Sequence, residues 1–168
     1  MTTTKAAYLK KTTTMIVLAA LAIALVSVLW AYTPALAQSS TVTDTRNPKV
    51  IAVRPPDGAT DVSIVSPNNP HAYHKVVAFF SEDMRERSLF RAFQVFKKGS
   101  NTPISDYTFW YNAQKRKAII QPEIALKRGV TYKAVVSVRA EDLAGNRLDQ
   151  NRNRDGLQRK VWYFTMEN

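Results

Sequence analysis

The chain contains no cysteine and only two histidines, His71 and His74. Without cysteine there are no disulfides, thiolate metal sites or cysteine nucleophiles, so stability rests on a hydrophobic core whatever the redox compartment. A bacterial lipid anchor on an N-terminal cysteine is excluded for the same reason. The sequence also lacks a G-x-S-x-G elbow, a Walker loop and an H-E-x-x-H pair, and no catalytic residue is assigned. An enzyme would have to bring dispersed carboxylates together in space. No long amphipathic helical pattern follows residue 37, which argues against a helical bundle.

Acids are scarce as well: 13 Asp and Glu stand against 24 Lys and Arg, for a formal charge of +11. Removing the N-terminal segment with Lys5, Lys10 and Lys11 leaves +8. This sign favours anionic partners such as wall polymers or lipid head groups. The basic residues are interspersed with acids, which serves solubility equally and defines no specific nucleic-acid surface.

Met1–Thr14 carries three lysines and no acid, Met15–Trp30 is an almost unbroken apolar run, and Ala35 and Ala37 supply an A-x-A cleavage pattern. Residues 1–37 are therefore predicted to be an export signal peptide, with the mature chain beginning near Gln38. The protein is then secreted or displayed at the cell surface, and it meets a membrane only if the segment stays uncleaved. Residues 38–47 are Ser/Thr-rich and aperiodic, a flexible leader expected not to pack. Residues 48–168 have room for one domain.

Seven short strands are predicted in that domain: Lys49–Arg54, Lys75–Phe80, Arg91–Lys97, Tyr107–Asn112, Lys117–Gln121, a sixth centred on Gly129–Arg139, and Lys160–Met166. In the sixth, Val130, Tyr132, Ala134, Val136 and Val138 share one face and Thr131, Lys133, Ser137 and Arg139 the other, the period of a half-buried strand. Asp142, Gly145 and Asn146 then mark a tight turn. Asp61–His74 reads as a loop, and Ser81–Leu89 as a turn or one helical turn whose Met84 and Leu89 fold back on the core. Trp162 and Phe164 read as core. The fold class is all-β, a seven-stranded immunoglobulin-like β-sandwich preceded by a signal peptide. Tyr132 stands where such sandwiches place a tyrosine whose hydroxyl bonds the backbone just upstream; plain core packing is the alternative.

Six phrases occur in order along the domain: P-K-V-I-A-V-R-P-P-D-G-A-T-D-V from Pro48, F-S-E-D-M-R-E-R-S-L from Phe80, I-I-Q-P from Ile119, L-K-R-G-V-T-Y from Leu126, E-D-L-A-G-N-R-L-D from Glu141 and Y-F-T from Tyr163. Together they resemble the bacterial Ig-like domain of the SbsA type. That resemblance implies a module of secreted or cell-surface bacterial proteins, acting as a spacer or adhesion unit without catalysis. Its expected partner is a cell-wall polymer or an envelope protein. The P-P-D-G-A-T and F-S-E phrases also resemble the copper-binding domain of the CopC type. That family places one histidine at the mature N-terminus and another near the second-last strand, where this chain has Gln38 and the D-L-A-G-N phrase.

Three sets of residues stand out as candidate sites. Asp149, Asn151, Asn153 and Asp155 space oxygen side chains every second residue, as loops that wrap a hard cation do, and form a candidate calcium loop. Arg152 and Arg154 interrupt it, and a solvated turn is the simpler account. No other cofactor is expected. Phe79, Phe96 and Trp110 fall off the inward register and form a candidate binding surface, unless the long loops cover them. Glu82, Asp83 and Glu86 cluster in sequence, but Arg85 and Arg87 beside them point to surface ion pairs.

Overall fold

The computed structural model describes residues 43–67 and 69–168, and residues 43–168 make one compact unit. The candidate signal peptide and the first half of the leader, residues 38–42, lie outside the described residues. In chain order the elements are β1 (Val50–Arg54), β2 (Ala59–Val62), β3 (Val65–Ser66), β4 (Asn69–Tyr73), β5 (Val76–Phe80), α1 (Glu86–Ala92), β6 (Phe93–Lys97), β7 (Tyr107–Asn112), β8 (Lys117–Pro122), β9 (Thr131–Val136) and β10 (Lys160–Met166).

Two four-stranded sheets form a sandwich. Sheet 1 has the order β1-β5-β8-β7 and sheet 2 the order β2-β10-β9-β6, with β3 and β4 making a separate ribbon. Alternation along each strand explains the layering. Val76, Ala78 and Phe80 of β5, with Ala118 and Ile120 of β8, face Val95 of β6, Tyr132, Ala134 and Val136 of β9, and Trp162 and Phe164 of β10 in one buried cluster. Trp162 packs on Phe93 with ring centroids 5.7 Å apart, and Tyr132 stacks on Phe164 at 5.9 Å. β9 and β10 pair antiparallel, as expected for the closing hairpin.

All seven expected strands are present, but the sandwich is larger than seven strands. Asp61–His74, read as a loop, instead contributes the end of β2 and the β3–β4 ribbon. β2 is a short edge strand that runs parallel to β10, with Ala59 opposite Phe164 and Val62 opposite Met166. Its ordering comes from the long central strand β10 rather than from its own residues. α1 is longer than one turn and runs to Ala92, so β6 starts at Phe93 rather than Arg91. Leu89 and Ala92, three apart on one helix face, are both buried and anchor it. Met84 is buried beside them in the core. β9 ends at Val136, and Val138 belongs to the turn that follows.

The leader, expected to stay unpacked, is tied down from Asp44 onward. The Asn146 side-chain amide donates to the Asp44 carbonyl at 2.8 Å, Asn47 donates to the Arg147 carbonyl at 2.9 Å, and Arg152 donates to the Asn47 carbonyl at 2.6 Å. Its Asp and Asn residues find partners on the β9–β10 connection that sequence distance hides.

Candidate functional site

The candidate calcium loop is built largely on its own amides. Asp149 is buried, and its Oδ1 accepts from the backbone N–H groups of Asn151 and Gln158, both at 3.1 Å. Asn151 Oδ1 accepts in turn from the Asn153 N–H at 3.1 Å, while Asn153 and Asp155 are exposed. Two of the four oxygen side chains are thus occupied in side-chain turns that hold the loop's shape.

His71 lies on β4 and His74 just beyond it. His74 is half-buried, and desolvation holds its imidazole below the ordinary range, favouring the neutral ring at pH 7. The sequence cluster of Glu82, Asp83 and Glu86 separates in space. Asp83 pairs with Arg116 at 3.7 Å, and Glu86 lies in the first turn of α1.

Glu82 meets Asp44 and Asp142 instead, with one carboxylate oxygen of each within 4.8 Å of the others, the one such group of acidic or histidine side chains among the described residues. Asp142 is 2% exposed, and its two oxygens accept from the Asn146 backbone N–H and side-chain amide, each at 2.8 Å. Gly145, with φ +94°, closes the turn that aims Asn146 back at this carboxylate, a conformation that glycine adopts without strain. Burial, followed by repulsion from Asp142 and Asp44, pushes the Glu82 carboxyl above its usual range. Asp44 is held below its usual range, chiefly by the Arg46 N–H that it accepts at 2.9 Å. The group has the oxygen chemistry of a hard-cation donor set. Sequence reading missed it because the three acids come from the leader, the β5–α1 loop and the β9–β10 connection.

Of the three off-register aromatics, the structure puts Phe79 and Trp110 on one sheet face and Phe96 on another. Phe96 is on the outer face of sheet 2, with the Lys133 ammonium 4.7 Å from its ring centroid. Phe79 and Trp110 are on the outer face of sheet 1. Cross-strand register there aligns Arg54, Val77, Ile119 and Trp110 in one row across four strands, and Ala52, Phe79, Lys117 and Asn112 in the next. The β3–β4 ribbon partly covers this face, which is why outward-facing Val77 and Ile119 are only 8% and 4% exposed.

Between ribbon and sheet runs a groove of about 440 Å³ with Val77, Phe79 and Ile119 in its lining. Arg54, Lys75, Lys117 and His74 also line it, and no carboxylate does among the described residues. Arg54 sits 5.6 Å from the Phe79 centroid and Lys75 5.2 Å from that of Trp110, so the cations lie against ring faces. None of the three forms an ion pair among the described residues. Sequence alternation predicted that Phe79 and Trp110 point away from the core; which sheet each strand joins was needed to place them on the same face, in neighbouring rows with β8 between their strands.

No curated protein matches the chain in sequence. Among solved structures, the fold is similar to the S-layer protein rSbsC (17% identity, TM-score 0.47), covering 73% of this chain but 14% of that one. It is similar to PcoC, a methionine-rich copper resistance protein from Escherichia coli (14% identity, TM-score 0.45), covering 73% of this chain and all of PcoC. A third similar structure is the LD transpeptidase LdtMt1 in complex with imipenem (18% identity, TM-score 0.45), of which the match covers 41%. The family model described as "Bacterial Ig-like domain" matches residues 44–166, nearly the whole described sandwich, and the chain belongs to that family.

Proposed function

We propose that this protein is a non-catalytic module of the bacterial cell envelope that binds an anionic wall glycan along the outer face of sheet 1. One observation carries the reading: the groove under the β3–β4 ribbon combines an aromatic and aliphatic lining with three cations and, among the described residues, no lining carboxylate. Sugar rings offer C–H faces that pack on aromatic rings, and acidic substituents answer the unpaired Arg54, Lys75 and Lys117. A sandwich suits presentation of such a face, because a close-packed core shared by two sheets holds the outer side chains in fixed positions. The secreted or surface location rests on the export pattern of residues 1–37 and on family membership; no helix among the described residues is long and apolar enough to cross a membrane.

The test is retention of the purified protein on isolated wall material at two salt concentrations. Retention should be high at low salt and fall near 1 M, where charges are screened beyond about 3 Å. Trp110→Ala and Lys117→Gln should each reduce it while circular dichroism shows both variants still folded. Equal retention by these variants would defeat the assignment to sheet 1. Heat on titration with calcium or copper, together with no retention on wall material, would replace it with a metal carrier.

A further inference from the structure

A second charged surface lies at a different place in the fold, where α1 meets the segment after β9. Arg85, Arg87, Ser88, Arg91, Arg139 and Glu141 line a cleft of about 310 Å³. Glu141 is its one carboxylate, and two arginines already claim it: Arg85 at 3.1 Å and Arg147 at 3.9 Å. Arg87, Arg91 and Arg139 have no ion-pair partner among the described residues. Arg87 and Arg91 are four apart on α1, so their charges lie on one helix face and repel each other.

The cleft is held in shape from beneath. Ser88 Oγ donates to the Arg85 carbonyl at 2.7 Å and accepts from the Glu141 N–H at 2.9 Å, which fastens the helix to the Glu141 segment. The Ser137 N–H donates to the Ala92 carbonyl at 3.0 Å, fixing the turn that carries Arg139 against the end of α1. Guanidinium groups from two separate segments, α1 with its preceding residue and the turn after β9, are therefore gathered on a rigid base.

We propose that this cleft binds a phosphate group, held by Arg87, Arg91 and Arg139. Planar guanidinium forks match the oxygens of a tetrahedral phosphate and form paired charge-assisted hydrogen bonds with it. A bound dianion also removes the repulsion between Arg87 and Arg91. The phosphate could belong to a soluble compound or to a lipid head group. Phe90 bears on that choice: it is three residues from Arg87, 55% exposed, and braced edge-on against Phe109 at 5.7 Å. An apolar ring on the rim of an arginine cleft adds affinity at a lipid surface and none for a free anion.

The experiment uses the full chain in two arms: calorimetric titration with inorganic pyrophosphate, and co-sedimentation with phosphatidylcholine vesicles made with or without phosphatidylglycerol. The proposal expects binding in at least one arm. A response to pyrophosphate assigns a soluble source, and sedimentation with phosphatidylglycerol vesicles alone assigns the head group. Each of Arg87→Gln, Arg91→Gln and Arg139→Gln should weaken binding about tenfold, the equivalent of losing one hydrogen bond between charged groups. A control with the same loss of charge elsewhere, Lys115→Gln, Arg154→Gln and Arg159→Gln combined, should bind as the parent does. Arg87→Gln, Arg91→Gln and Arg139→Gln combined, the charge match for that control, should abolish binding; should this triple variant fail to fold, the single Arg139→Gln variant gives the same reading. No binding in either arm, or equal loss in the control, overturns the proposal.

Discussion

Replacing Tyr132 with phenylalanine separates two roles that the residue combines. Tyr132 is 5% exposed, its ring stacks on Phe164, and its hydroxyl accepts the Lys127 backbone N–H at 2.9 Å. Tyr132→Phe keeps the ring and deletes only that bond. Lys127 is exposed, so water can take over its freed N–H, and the cost falls at about 1 kcal/mol rather than the 2–3 of a fully stranded donor. For a domain of this size that lowers Tm by roughly 3–5 °C. Tyr132→Ala removes the ring too and should cost about 3–5 kcal/mol. Urea unfolding followed by circular dichroism measures both, and the phenylalanine variant should shift the midpoint with an unchanged slope. A phenylalanine variant as stable as the parent, within about 0.3 kcal/mol, would refute the reasoning, because the tyrosine would then act through packing alone.

Glu82→Gln tests the three-carboxylate group through pH. The Glu82 carboxyl is raised above its unfolded value of 4.5, so the folded state holds the proton more tightly. Stability tied to that proton is complete below the unfolded pKa and is lost as pH rises through the folded one. Thermal unfolding should therefore show the glutamine variant more stable than the parent at pH 7, with the gap closing on the acid side of pH 4.5; a gap independent of pH would contradict the assigned cause. Gly145→Ala forces a side chain into φ +94° and should cost about 1–3 kcal/mol in chemical unfolding, whereas an unchanged midpoint would mean that the turn relaxes freely.

Much of the sandwich was legible because alternating strands declare their buried side. The pattern V-T-Y-K-A-V-V gives the inner face of β9 directly, and Trp162 and Phe164 follow the same rule in β10. β2 and the β3–β4 ribbon were hidden because Ala59–Val62 and Val65–Ser66 are too short to show a period, Asn69–Tyr73 holds Asn and Pro and no β-branched residue, and β2 takes its order from β10. The surfaces were less legible than the core. Alternation shows that Phe79, Phe96 and Trp110 point outward, but it carries no information on which sheet a strand enters, so Phe96 was grouped with residues on the opposite face. The carboxylates of Asp44, Glu82 and Asp142, and the arginines of the α1 cleft, assemble from segments distant in sequence. No local signal marks them before the chain is folded.

The most direct measurement is backbone amide NMR of isotope-labelled protein titrated with soluble, anionic wall polymer. The account predicts shifts concentrated on the row Arg54, Val77, Ile119 and Trp110 and on the ribbon above it, with the outer face of sheet 2 around Phe96 unmoved. Shifts centred on sheet 2, or a spectrum indifferent to the polymer at low salt, would contradict it.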